Sequence, residues 1–153
     1  MTFKKILCPV DFSDGAREAM RVATELARAS QAPLTLLYVW QAPVWATEYG
    51  MHWPSDAILE VQAVEDKKLA AFRAEALELG APSVAAKLVR GNPWDEIVSA
   101  ARDDRDIDLI VMGTHGRGGL ERALIGSVAE RVIRHAPCAV MVVRTPATPA
   151  RRA

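Results

Sequence analysis

Residues 107–143 read IDLIVMGTHGRGGLERALIGSVAERVIRHAPCAVMVV, and this stretch decides the fold. Ile107 to Met112 is almost unbroken apolar sequence, the pattern of a strand buried on both faces. A glycine-rich loop follows from Gly113 to Gly126, then a helix from about Ser127 to His135, then a second apolar strand from Ala139 to Val143. Two buried strands joined through a helix are most simply parallel neighbours linked by a crossover.

The same alternation continues back to the N-terminus. Phe3 to Val10 carries the apolar block Ile6, Leu7 and Cys8 and is closed by Pro9 and Asp11, so it reads as a first strand running into a loop. From Ser13, a fitting N-cap, Ala16, Ala19, Met20, Ala23, Leu26 and Ala27 recur at helical spacing to about residue 29, and Pro33 forbids continuation. Leu34 to Trp40 is a second strand. Gln41 to Pro54, with two prolines, Gly50, Trp45 and Trp53 and no periodicity, reads as a long loop. Ser55 is positioned to cap a second helix that runs to Leu79, with Leu69, Phe72, Ala76 and Leu79 on one stripe and Gly80 and Pro82 to end it.

Ser83 to Arg90 mixes apolar and polar residues, as suits a strand at the edge of a sheet. Asn92 followed by Pro93 predicts a further helix start, with the Asn side chain as cap and Pro at the first helical position. Trp94, Ile97, Val98 and Ala101 form that helix's inner face. The expected fold is therefore a doubly wound, Rossmann-like α/β domain: a five-stranded parallel sheet of order 3-2-1-4-5 with about four helices on its two faces. It spans residues 1–144, and 145–153, with two prolines and two terminal arginines, reads as a disordered tail.

Composition narrows the function. A chain of 153 residues is long enough for one core. Its 19 Lys+Arg balance 19 Asp+Glu, which leaves no electrostatic footprint for nucleic acid or an anionic membrane. The longest apolar runs fall far short of the ~20 residues that span a bilayer. No apolar leader precedes the first strand, so a cytoplasmic location is expected. Cys8 and Cys138 read as packing thiols, and three histidines without metal-ligand spacing argue against a zinc site.

In a doubly wound sheet a ligand binds past the carboxyl ends of the strands where the strand order reverses, here between the first and fourth strands. The residues just past those ends are Asp11 with Ser13, and Gly113 onward. Gly113 and Gly116 are two residues apart, and nine residues separate Gly116 from the pair Gly126 and Ser127. Glycine lets backbone N–H groups approach a phosphate closely, and the following helix start offers unpaired donors and partial positive charge. The Ser127 hydroxyl could cap that helix or reach a phosphate oxygen, since both uses compete for one group. Asp11 must be solvated, cap the next helix, or bind a ligand. His115 and Arg117 could add positive charge to the loop or simply be solvated. A glycine loop that only shapes the connection is the competing reading.

This GxxG, nine residues, then GS spacing resembles the nucleotide-binding signature of the universal stress protein family, in its ATP-binding branch. Pro9 and Asp11, Val39 near the end of the second strand, Met112, and the phrase GSVAERVIRHAPCAVMVVR over 126–144 are similar to that family in place and kind, from residue 3 to 144. The resemblance implies that Pro9, Val39 and Met112 border an adenine, and Val10 is a further candidate nucleotide-binding residue. It implies that Asp11 meets the ribose or a nucleotide-bound Mg²⁺. Gly113, Gly116, Gly126 and Ser127 would then hold the phosphates of ATP (or AMP or ADP), Val128 adding its amide and Arg117 its charge. Residues 41–54 are the least informative part of the match.

The loop has no lysine before Ser127, so it is not a P-loop, and its backbone dipoles suit binding rather than fast phosphoryl transfer. The expected function is thus a nucleotide-dependent sensor or regulator, which the resemblance places in stress response, and not an enzyme, with slow ATP hydrolysis allowed. The alternative is a dimeric scaffold in stress signalling that binds no nucleotide. A flavin or redox domain is disfavoured, because neither a reactive cysteine pair nor a glycine-rich turn after the first strand is present. Bare, the apolar fifth strand (Ala139–Val143) is a sheet edge that invites pairing, and the resemblance implies the same homodimer, with room for a higher oligomer.

Overall fold

The computed structural model describes residues 1–42, 46, 48–50, 52–114 and 125–145. Five parallel strands form one sheet: β1 (Ile6–Pro9), β2 (Leu34–Trp40), β3 (Val84–Arg90), β4 (Leu109–Gly113) and β5 (Ala139–Val143). Their order is β3-β2-β1-β4-β5, as the alternation of apolar segments predicts. Register places Leu7 beside Thr35 and Ile110, Val39 beside Val89, and Gly113 beside Val143. Among the described residues four helices connect them: α1 (Asp14–Ser30), α2 (Ser55–Glu78), α3 (Pro93–Asp103) and α4 (Ser127–His135).

Period-two alternation along the strands divides the core into two layers. Ile6, Cys8, Leu36 and Val111 pack with Met20 of α1 and Phe72 of α2 on one face. Leu7, Leu37, Ile110 and Met112 pack with Ile97 and Val98 of α3 and Val132 of α4 on the other. Each such side chain, fully buried, contributes roughly 1.5–3 kcal/mol of transfer free energy. These two layers hold the sheet rigid and fix what its carboxyl ends present.

The helix ends explain why the elements stop where they do. Gln31 takes φ 53° after α1, and the amide of Ala32 reaches back to the Ala27 carbonyl at 2.9 Å. Gly80, at φ 100°, ends α2 in the same way, with the Ala81 amide 3.1 Å from the Ala76 carbonyl. Both are left-handed closures that satisfy last-turn carbonyls.

Several local expectations are corrected. Ser55 is the first residue of α2 rather than its cap, a place taken by Pro54 with no side-chain hydrogen bond. Asn92 occupies the α3 cap position, but its side chain bonds no helix amide. Leu79 lies past the end of α2 and is 43% exposed, so the α2 stripe ends at Ala76. In α1, Thr24 joins the buried face while Leu26 is only half-buried. Within the expected irregular loop, Ala46 and Glu48 have helical backbone, and Ala46 is buried. Trp45 lies outside the described residues, as does the expected tail beyond Thr145. Among the described residues no helix is long and apolar enough to cross a membrane.

Candidate functional site

The strand order reverses between β1 and β4, and past the carboxyl ends at such a switch point doubly wound sheets place their ligands. On the β1 side the chain turns sharply into α1. Phe12 adopts φ 65°, a left-handed conformation costly for a bulky residue. Its ring is held against Tyr38 at 4.7 Å and Phe72 at 5.3 Å between centroids, contacts that fix the turn in place. This turn aims Asp11 and Ser13 at the start of α1. Asp11 Oδ1 accepts from the Ser13 amide at 3.0 Å and from the Ser13 hydroxyl at 2.5 Å. Ser13 Oγ in turn accepts from the Ala16 amide at 3.1 Å. Asp11 therefore orients the residue that caps α1, which is one of the roles its position allows.

On the β4 side the backbone is drawn together at three places. Gly113 packs so tightly on the first turn of α1 that a Cβ there would sit 3.1 Å from the Gly15 carbonyl oxygen. The Thr114 amide donates to the Val143 carbonyl at 3.1 Å, and the Gly126 amide to the Thr114 carbonyl at 2.7 Å. The ends of the loop between β4 and α4 are thereby closed onto each other, and the start of α4 is set beside the end of β4. Gly126 is the cap residue of α4 and supplies no side chain, while Ser127, the first helical residue, is exposed. Among the described residues, no cap side chain bonds the first amides of α4.

Of the residues that sequence reasoning selects, the structure brings most to this end of the sheet. Met112 belongs to the core layer under α3 and α4, and Val39 and Val128 are packed against that layer. Pro9 shares the face of Leu7 by alternation along β1. Val10 is the exception. Its side chain is buried in the opposite layer, under α1 and α2, and its amide is spent on the Leu37 carbonyl at 2.9 Å. Gly116, Arg117 and His115 lie outside the described residues.

The cysteines are packing groups. Burial pushes the Cys8 thiol up to about 12, and Cys138 is raised by burial and then by the Asp108 carboxylate. Neither thiol is a ready nucleophile. Among the described residues no group of three or more His, Cys, Asp or Glu could hold a metal ion. Sequence reasoning missed Phe12 and Gly15, which set the turn into α1 and the close approach of Gly113 to it. Gly15 carried a signal: a glycine in the first turn of a helix has no propensity reason to be there.

A family model described as "Universal stress protein family" matches residues 2–144. A universal stress protein of Methanocaldococcus jannaschii is 37% identical over 145 residues, covering 94% of this chain and 84% of that protein. The solved UspA of Lactobacillus plantarum is 30% identical with a TM-score of 0.79, covering 94% of this chain and 99% of its own. Two further solved structures carry adenine nucleotides. One is an Archaeoglobus fulgidus universal stress protein in complex with dAMP (26% identity, TM-score 0.66, 93% of this chain and 98% of that one). The other is a universal stress protein in complex with cAMP (25% identity, TM-score 0.68, 95% and 99%). The matched span takes in all five strands and the closed loop ahead of α4, and the chain belongs to the universal stress protein family.

Proposed function

We propose that the protein is a stress-response regulator that binds an adenine nucleotide, ATP or its AMP and ADP relatives, in the crevice between β1 and β4. The observation that carries this reading is the start of α4: amides without a side-chain cap, clamped beside the end of β4 at the switch point of the sheet. Helix amides so placed favour a phosphate through hydrogen bonds and the positive end of the helix dipole. The half-buried apolar side of Val39 and Val128, next to Met112, suits the base. Pro9 completes that wall, and the Val10 side chain takes no part. Gly113, Gly126, Ser127 and Val128 are the described part of the phosphate cradle, and the glycine spacing assigns Gly116 and Arg117 to it as well. The dAMP and cAMP complexes of the two solved relatives support the same ligand class.

The Asp11 carboxylate, oriented by Ser13, is the group suited to the ribose or to Mg²⁺ carried by the phosphates, which in such sites hold the ion together with water. The chemistry stops at binding. The loop lacks the lysine that a P-loop aims at the β- and γ-phosphates, and no described cluster of acids would place two metals. Turnover is expected far below the ~1–100 s⁻¹ of kinases.

Thermal unfolding with and without millimolar ATP, AMP or no ligand tests the proposal. A binding protein gains RT ln(1 + [L]/Kd), about 2.7 kcal/mol at a hundredfold excess over Kd. An unmoved transition at millimolar nucleotide would favour instead a scaffold that uses the same fold only to pair with other proteins. Turnover within the kinase range would replace the binding module with an enzyme.

A further inference from the structure

At the carboxyl ends of β2 and β3, on the face covered by α2, Trp40, Ile58, Gln62, Glu65, Leu88 and Arg90 surround a small cavity. It lies on the opposite side of the sheet from Val39 and Met112, so it is separate from the crevice proposed for nucleotide. Glu65 is the unusual member. It is only 8% exposed in the middle of a helix, where Asp and Glu are almost never buried without partners. One of its oxygens, Oε1, accepts from Lys68 Nζ at 3.2 Å, while the buried Oε2 has no hydrogen-bond partner. Leaving one buried carboxylate oxygen unbonded incurs its desolvation penalty with nothing to offset it.

Two neighbours that might satisfy Oε2 are otherwise disposed. Lys68 is shared between Oε1 and the Phe12 ring, 5.8 Å from its centroid. Arg90 stacks over the Trp40 ring at 5.5 Å. The size of the cavity then decides what can donate to Oε2. Its volume is about 10 Å³, room for one water, whereas sites for organic ligands run to ~300 Å³ and more. Trp40, Arg90 and a carboxylate would suit a nucleobase by their chemistry, and the volume rules it out.

We infer that the cavity beside Glu65 is the site of a single buried water that donates a hydrogen bond to Glu65 Oε2 and bridges it to Gln62 or Arg90. A buried water makes about three hydrogen bonds; the cavity wall is mostly apolar, and the groups that can supply them are Glu65 Oε2 and the side chains of Gln62 and Arg90. Its consequence is mechanical. The water ties the first half of α2 to the ends of β2 and β3, beside the Trp40–Trp53 contact from which α2 departs.

A crystal structure of the full chain at better than about 2 Å tests this directly. The expected result is an electron-density peak in the cavity about 2.6–3.2 Å from Glu65 Oε2 and within hydrogen-bond distance of Gln62 or Arg90. The Glu65→Gln variant should keep the peak, because its amide still bonds water, and Glu65→Leu should lose it. A side chain bonded directly to Oε2, a closed cavity without density, or a peak that survives Glu65→Leu would each overturn the assignment. The wild-type map alone decides it if a variant does not fold.

Discussion

Gly113 stands at the end of β4 both as the first residue of a phosphate-binding spacing and as a packing glycine, and the geometry separates the two roles. A methyl group at Gly113 would meet the carbonyl oxygen of Gly15 at 3.1 Å and its carbonyl carbon at 3.2 Å, both backbone atoms at the start of α1. Backbone yields less readily than a side-chain tip, so Gly113→Ala should destabilise the protein by ~1–3 kcal/mol, the usual cost of overpacking. A urea midpoint unchanged from wild type would show that β4 and α1 can part without cost. A second residue-scale test is the ion pair of Lys5 and Asp104, 2.6 Å apart. The hydrogen bond from Lys5 is the main reason the Asp104 carboxyl titrates below the usual range. A carboxyl depressed in the folded state adds stability above its unfolded value of about 4, and loses it as pH falls through the lower folded value. Because both groups are partly exposed the contribution is about 0.5 kcal/mol, and Asp104→Asn should remove it at neutral pH while leaving stability close to wild type once the pH has fallen below the lowered folded-state value. Parallel curves of urea midpoint against pH for the two proteins would contradict this. Neither the Lys5 contact, 99 residues away along the chain, nor the left-handed Phe12 was legible in the sequence. Both are decided by tertiary neighbours rather than by local pattern.

Two helices begin at the candidate site with a serine near the start, and they begin differently. Ser13 precedes α1 in an extended conformation, at φ −73° and ψ 164°, and its hydroxyl accepts from the Ala16 amide. In α4 Gly126 takes the equivalent backbone place, at φ −70° and ψ 159°, which moves Ser127 one residue too far along to cap. Ser13→Ala should therefore cost about 1 kcal/mol in the absence of any ligand. Ser127→Ala should leave the ligand-free melting temperature within error of wild type. If Ser127 serves phosphate, the same variant should weaken nucleotide binding by roughly 2- to 12-fold, the worth of one hydrogen bond at ~0.5–1.5 kcal/mol. A loss of stability without nucleotide would return Ser127 to a capping role. At this scale the sequence was legible in kind and less so in detail. All five strands and four helices follow from period and punctuation, and the bounds of α4 and β5 agree to the residue. The capping side chains at Ser55 and Asn92 did not, because whether a polar side chain turns onto a helix amide depends on competing partners and solvent. Spacing alone puts Leu79 on the α2 stripe, while the left-handed Gly80 behind it ends the helix and leaves Leu79 exposed.

Across the whole molecule, the alternation of apolar strand and amphipathic helix specifies the topology, and the topology leaves two edges open, β3 and β5. The two differ in how they resist pairing. β3 is seven residues long and carries Lys87, which is exposed, and Arg90 at its end, the kind of charge that keeps an edge from adding another strand. β5 is AVMVV, with no charge along its length and with Met141 37% exposed. An apolar edge of that kind in a folded protein is a liability unless it is covered, and a second copy of the same strand is the simplest cover. The homodimer through Ala139–Val143 is thus an expectation from edge chemistry, argued without reference to the nucleotide crevice. Met141→Lys places a charge on that edge without changing the described core, so it should give monomers by sedimentation velocity while the far-ultraviolet circular dichroism and the nucleotide-induced thermal shift stay at wild-type values. Lys87→Val, at the other edge, should leave the dimer unchanged or drive further association. A Met141→Lys protein that sediments as a dimer would move the interface away from β5, and a Met141→Lys monomer that no longer responds to nucleotide would show that the crevice depends on the second copy.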